Sequence, residues 1–329
     1  MSSVQTLEVT RDEAGMRLDR WFKSRFPGLS FVQLQKLLRS GQVRVDGGRA
    51  KTDTRLAAGQ SVRIPPTVGS DADKPVKPKS PLAGGNGDRA ALEAMILYED
   101  DAVMVLNKPA GLAVQGGSGL TRHVDGMLDS MRSKDGQKPR LVHRLDRDTS
   151  GVLLIAKTRK AAQALAKSFR ARTTRKIYWA LVQGVPKPKQ GRISTYLARE
   201  EENERMRVAH HGEDGASHAV SNYSVVDQVG QNIAWLTLKP VTGRTHQLRA
   251  HCAHIRHPII GDPKYFNTEN WELPGGIQNK LHLHARRLVL PHPSGGTIDV
   301  TAPLPPHMKQ SWNLLGFDTS AYDPSEDDD

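Results

Sequence analysis

The chain has almost no cysteine. Cys252 stands alone among 329 residues, which excludes an internal disulfide and any multi-cysteine zinc or iron–sulfur site. Long apolar runs are also missing: residues 152–156 form about the longest, far short of the roughly 20 residues a spanning helix needs. The opening residues have neither the basic flank nor the apolar stretch of a secretory signal. Together these point to a soluble cytoplasmic protein with no membrane partner. Aromatic residues are only 5%, too few to line a sugar-binding cleft, and no GxSxG, HExxH or complete phosphate-loop pattern occurs. The glycines Gly116, Gly117 and Gly119 complete neither a phosphate loop nor a dinucleotide fingerprint.

What is abundant is positive charge. Lys and Arg number 47 against 35 Asp and Glu, a formal net charge of +12. The excess is uneven, since residues 11–64 carry twelve Lys/Arg and five Asp/Glu, a surplus of seven. Such a patch favours polyanions, with nucleic acid the foremost class. Five of the last seven residues are acidic, so 319–329 is expected to be a disordered tail.

Residues 65–88 hold five prolines and four glycines and few large apolar side chains. This composition predicts a flexible linker between a module over 1–64 and a larger domain over 89–318. In the module, Leu18, Trp21, Phe22 and Phe26 share one helical face, with Arg17, Arg20, Lys23 and Arg25 around it. Ser30 and Gln33 have capping-box spacing ahead of an apolar stripe of Phe31, Leu34, Leu37 and Leu38, and Gly41 is placed to end that helix. Alternating residues at 43–45 and 61–64 read as short strands. Arg17, Arg20, Lys23, Lys36, Arg39 and Arg44 are the candidate RNA contacts; the alternative is a solvated basic hairpin packed on the main domain.

The larger domain shows strand-like runs at 102–106, 151–156, 177–182, 221–226 and 233–238, and helical spacing at 161–170 and 246–256. Strands outnumber helices without regular βαβ alternation. The expected class is α+β: a mixed, mostly antiparallel central sheet with flanking helices.

Two segments could carry chemistry. His143-Arg144-Leu145-Asp146-Arg147-Asp148-Thr149-Ser150-Gly151 gathers two carboxylates, two arginines and a histidine ahead of an apolar strand. It could equally be a salt-bridged turn. A glycosidase would also use two carboxylates at such spacing, about 6.5–7 Å in an extended loop, but the sparse aromatics disfavour it. The second segment, Gly243-Arg244-Thr245-His246-Gln247-Leu248-Arg249, opens a helix and places Arg249 to pair with a carboxylate, either in a site or as a structural ion pair. His246, His251, His254 and His257 lack an i, i+4 metal-binding pair, so no metal is expected.

His143-Arg144-Leu145-Asp146 with Thr149-Ser150-Gly151 resembles the signature of RNA pseudouridine synthases acting on ribosomal large-subunit RNA and some tRNAs. Asn107-Lys108-Pro109, Lys176-Ile177-Tyr178, Gly243 to Arg249, and Leu283-His284-Ala285 extend the resemblance in order over about 96–303. The basic module resembles the S-four-like RNA-binding domain many members carry. The resemblance implies that Asp146 is the nucleophile, that Tyr178 packs on the target base and helps remove its proton, and that Arg249 pairs with Asp146. Arg144 would fill the space left by the extruded uridine. His143, Arg244, His246, Lys108 and Thr149 would complete substrate binding. No cofactor is implied, and a monomer is expected. One departure is Gln115, where many relatives have His. The rival expectation is a non-catalytic RNA-binding factor of ribosome assembly.

Overall fold

The computed structural model describes residues 4–10, 13–26, 28–70, 86–116, 122–133, 136–171, 173–200, 202, 205–266, 274–320 and 322. The expectations for the acidic tail, for most of the linker and for Gly117 and Gly119 lie outside them. The chain divides into two compact units, Met1–Pro81 and Leu82–Asp329.

The first unit pairs two helices with a small sheet. Helix α1, Leu18–Arg25, buries Leu18, Trp21 and Phe22. Helix α2, Phe31–Arg39, opens with the capping box: the Ser30 hydroxyl accepts from the Gln33 amide, and the Gln33 side chain accepts from the Ser30 amide. Leu34 and Leu38 face the core, but Phe31, expected on the apolar stripe, is 53% exposed because it lies in the first turn. Strands β1 (Gln5–Glu8), β2 (Arg44–Val45), β3 (Gly48–Arg49) and β4 (Ser61–Ile64) form a sheet in the order β1-β4-β2-β3. The region read as a linker is structured at both ends. A helical turn α3, Thr67–Ser70, buries Val68 in this unit's core, and α4 begins at Asn86 in the second unit.

The second unit is an eleven-stranded sheet with helices on both faces. Helix α4 (Asn86–Glu93), strands β5 (Ile96–Glu99) and β6 (Val103–Lys108), helix α5 (Val124–Met127) and strands β7 (Arg140–Leu141) and β8 (Ser150–Ala156) come first. Helix α6 (Arg159–Ala171) and strands β9 (Arg175–Gln183), β10 (Gln190–Glu200), β11 (Arg205–Ala209), β12 (Ser217–Val229) and β13 (Ile233–Pro240) follow. Helix α7 (Gln247–His254), strands β14 (Leu283–Pro291) and β15 (Thr297–Thr301) and helix α8 (Pro306–Leu315) complete it. The strand order is β11-β10-β12-β13-β9-β14-β8-β6-β5, with β15 on β14 and β7 on β8. All described pairs are antiparallel except β14 with β8, where His284 faces Ser150 and Ala285 faces Gly151. This is the expected mixed, mostly antiparallel α+β architecture.

Alternation along the strands sends successive side chains to opposite layers. Val103, Val105, Val152 and Leu154 pack on Ala161 and Leu165 of α6, while Met104, Leu106, Leu153 and Ile155 pack towards α4 and α5. Trp179, Trp235 and Trp312 join α8 to the sheet, and Leu248 and Cys252 seat α7 on Ala180 and Leu236. The lone cysteine is thus core, its thiol pushed up to about 12 by burial. No helix among the described residues is long and apolar enough to cross a membrane.

Candidate active site

The β14–β8 seam decides where the site lies. Gly151 has φ +109°, and a Cβ there would sit 2.2 Å from the Ala285 carbonyl oxygen, so only glycine lets the two strands meet. The adjacent buried Ser150 hydroxyl shares a 2.8 Å hydrogen bond with His284 Nδ1. The turn Asp146–Thr149 immediately precedes this joint, with the Thr149 amide donating to the Asp146 carbonyl at 3.2 Å.

Lys108 braces that turn from beneath. Its Nζ donates to the carbonyls of Pro109, Leu112 and Arg147 at 2.9, 2.7 and 2.8 Å, and the side chain is wholly buried. Burial lowers its pKa to about 7, while Asp148 and Asp146 pull it upward. It is not among the cleft-lining residues, which corrects its expected place in substrate binding: all three donors are spent on the loop.

The cleft has a volume of about 710 Å³. Its walls come from residues 142–146 and Thr149, from Ala166, Phe169 and Arg170 of α6, from Lys176 and Tyr178 of β9, and from residues 240–249 with Leu283. Asp146 lies in the wall with its side chain 20% exposed. Across from it Arg249 projects from the first turn of α7. Its Nη1 is 3.7 Å from Asp146 Oδ2, a counter-charge rather than a tight pair.

The closer partner of Arg249 is one that the motifs do not mark. Asp262 accepts from Arg249 Nε at 2.7 Å and from Nη2 at 2.6 Å, and it also accepts from the amides of Lys264 and Tyr265. The two side chains are 3% and 0% exposed. Asp262 follows Gly261, whose φ is +70°; a Cβ there would lie 2.1 Å from the Lys280 carbonyl oxygen, so glycine is again required. The sequence signal was available: a buried arginine needs a buried carboxylate, and Gly261-Asp262 closes the apolar run Ile259-Ile260. So the expected pairing of Arg249 with Asp146 is looser, because the guanidinium's Nε and Nη2 are already bound.

Tyr178 stands on β9, in contact with both core clusters beside the cleft. Burial and then the nearby Asp146 drive its phenol upward, so the hydroxyl stays protonated. His143 lines the cleft, yet its Nε2 accepts from the Leu154 amide at 2.8 Å and its ring stacks on Phe169 at 5.0 Å. Burial, reinforced by Lys176, lowers it to about 3, so it is neutral. Thr149 is buried in the wall, and Arg144 is exposed at it. Arg244 is exposed at the rim, its Nε donating to the His218 carbonyl at 3.1 Å. His246 takes a left-handed φ of 49° before α7, its ring edge-on to Tyr265 and its pKa lowered, mainly by burial.

Gln247 fixes the approach to α7: its Oε1 accepts from the Thr242 hydroxyl and the Arg244 amide, and its Nε2 donates to the Val220 carbonyl and the Ser221 hydroxyl. His251 bonds Ser221 and Thr195, and burial lowers it to about 4. Its ring nitrogens are therefore occupied, and no group of three metal-ligating residues occurs among the described residues. Asp148 turns to Arg147, at 3.1 Å, and does not join the cleft lining.

In the first unit Arg20, Lys23, Lys36 and Arg39 are exposed. Arg17 pairs with Asp19 at 2.7 Å. Arg44 is half-buried, and its guanidinium closes a turn by donating from Nε to the Gly41 carbonyl and from Nη1 to the Gly47 carbonyl.

The cleft holds a single aspartate in a basic wall, and similarity to known proteins identifies the family. Residues 102–254 match the family described as RNA pseudouridylate synthase. The chain belongs to that family and is an isomerase acting on RNA. Relatives include ribosomal large subunit pseudouridine synthase C of Pasteurella multocida, 37% identical over 95% of this chain and 94% of that protein. The proteins of the same name from Haemophilus influenzae and Escherichia coli K12 are each 38% identical, over 94% and 95% of this chain and 94% and 97% of their own lengths. Among solved structures, human RNA pseudouridylate synthase domain containing 4 superposes with a TM-score of 0.59 at 28% identity, covering 71% of this chain and 97% of that one. Human RNA pseudouridylate synthase domain containing 1 gives 0.52 at 28%, over 64% and 83%.

Proposed function

We propose that this enzyme converts uridine to pseudouridine in large-subunit ribosomal RNA, with Asp146 as the nucleophile. The observation that carries the reading is the position of Asp146: open to the cleft, 3.7 Å from an arginine that Asp262 holds rigid. The substrate class is that of the ribosomal large subunit pseudouridine synthases C that share nearly the whole chain.

The reaction breaks the bond from ribose carbon 1 to ring nitrogen 1 and joins that carbon to ring carbon 5. A proton leaves carbon 5 and one ends on nitrogen 1, so atoms balance and no electrons are gained or lost. A carboxylate adduct divides this rearrangement into two easier steps. The uridine must first leave its stack, costing a few kcal/mol, which basic and aromatic groups in the cleft offset. Arg144 fills the vacated space. Tyr178 packs on the base, and because its phenol stays protonated it does not act as the resting base. Asp262 keeps Arg249 from collapsing onto Asp146, leaving the carboxylate free to attack.

The first unit, with paired helices over a small basic sheet, acts as the S-four-like RNA-binding domain. Its exposed Arg20, Lys23, Lys36 and Arg39 contribute sequence-independent affinity. Reversing Arg20, Lys36 and Arg39 to Glu should weaken binding and flatten its salt dependence; an unchanged slope would give the unit another purpose.

The central test is chemical. Large-subunit rRNA from cells with and without the protein is treated with a pseudouridine-specific carbodiimide and the reverse-transcription stops are mapped. At least one uridine should change status, and if none does the proposal fails. Asp146→Asn should keep RNA affinity and lose turnover; retained turnover would remove Asp146 from its role, and loss of binding alone would favour a non-catalytic factor.

A further inference from the structure

The wing of the sheet formed by β10, β11 and β12 has two unlike faces. One face, with Leu197 and Ala219, packs on Ala250 of α7, and Thr195 bonds His251 there. The other carries an exposed row. Arg192 and Ser194 on β10 and Asn222 and His218 on β12 are all exposed, with half-buried Tyr196 among them. Tyr196 and His218 lie directly opposite each other across the strand pair. Their ring centroids are 5.2 Å apart, and His211 stands edge-on to Tyr196 at 4.9 Å. The Ser194 hydroxyl holds His218 Nε2 at 2.9 Å.

We propose that this outer sheet face, centred on Tyr196 and His218, is an auxiliary RNA site that stacks an unpaired nucleobase flanking the target uridine. It rests on the RNA-modifying reading above and extends it to a second contact. Three features select the occupant. The row lies close to the catalytic cleft, on the opposite sheet face from α7: Arg244 lines the cleft and its guanidinium donates to the backbone carbonyl of His218. Flat rings on an exposed sheet with a polar fringe suit single-stranded nucleic acid, since every base has a π-face to stack. A protein partner would need an apolar centre of aliphatic or larger aromatic anchors, and the exposed neighbours here are Arg192, Ser194 and Asn222. The charge is also of the right sign: Glu200 and Glu213 are bound by Arg205 and Arg207, while Arg192 makes no ion pair among the described residues.

The test uses the full-length enzyme and protein-free large-subunit rRNA from cells that lack it. Tyr196→Ala should raise KM about tenfold, the size of one base stacked on an aromatic ring, with kcat at saturating RNA within about twofold. Tyr196→Phe should keep the wild-type KM. Arg192→Glu should raise KM and reduce the salt slope by about one to two. Ultraviolet cross-linking should attach RNA to the peptide spanning 190–218. Unchanged KM and salt slope with no cross-link would overturn the site, as would a loss confined to kcat. Should Tyr196→Ala misfold, Arg192→Glu decides alone, being exposed and outside the core. A wild-type enzyme without turnover would sink the proposed function but not this site, because affinity and cross-linking to the same rRNA still decide it.

Discussion

Replacing Asp262 by Asn keeps the shape of the site and removes one charge. Arg249 and Asp262 are 3% and 0% exposed, so neither can turn to water when its partner is lost. Breaking such a buried pair costs about 3–5 kcal/mol. For a domain of this size each kcal/mol moves the melting temperature by roughly 2–4 °C, which gives a fall of roughly 6–20 °C. Catalysis should suffer separately. Asp146, 3.7 Å from Arg249 Nη1, becomes the remaining carboxylate in reach, and the two draw together. Misplacing a reacting group by about 1 Å can cost on the order of 100-fold in rate. Circular dichroism melts and single-turnover assays on the same preparation separate the two effects, with RNA affinity staying near wild type. The double variant Arg249→Met, Asp262→Leu should recover most of the stability, since apolar residues of similar volume often replace buried pairs without loss, yet remain inactive. A melt of Asp262→Asn within about 2 °C of wild type, or full turnover, would refute the locking role.

Gly151→Ala should abolish turnover and destabilise the catalytic unit by about 2–6 kcal/mol, from a Cβ 2.2 Å from the Ala285 oxygen and a φ of +109°; a melt near wild type would refute the seam. Lys108→Met should lower stability by about 3 kcal/mol or more, because three carbonyls lose their donor, and chemical denaturation reads this directly. Acid should weaken the fold through its neutral histidines. His251, His282 and His284 fall to about 4 by burial, so below 6.5 the unfolded chain takes up protons that the folded chain refuses. Stability is therefore full above 6.5 and declines as pH falls towards 4, by up to about 1.4 kcal/mol per pH unit for each histidine. A urea midpoint that stays flat from pH 7 to 5 would contradict this.

Much of this architecture was legible where a strong period or cap marks it. The Ser30–Gln33 box, the α6 stripe and the apolar runs of β6, β8, β9 and β13 read directly from spacing. Strands β10, β11 and β14 were not visible, because their identity comes from neighbours: Arg286 and Arg287 interrupt the apolar pattern of β14, and β10 is polar on the face described above. The cluster of site residues followed from motifs, but the distribution of roles did not. Lys108 looks like a ligand in sequence because it is basic, and only its carbonyl partners reveal it as a brace. Asp262 was missed because its partner lies thirteen residues away, across a helix and a turn.

Strand β14 joins the sheet between β9 and β8, although it is made after all but one of the other strands. Until residue 283 leaves the ribosome, the loop bearing Asp146 and the helix bearing Arg249 belong to half-sheets that no strand pairing joins. The chain is therefore born with its basic end first, and its catalytic cleft takes its final shape only when nearly all of the protein has been made.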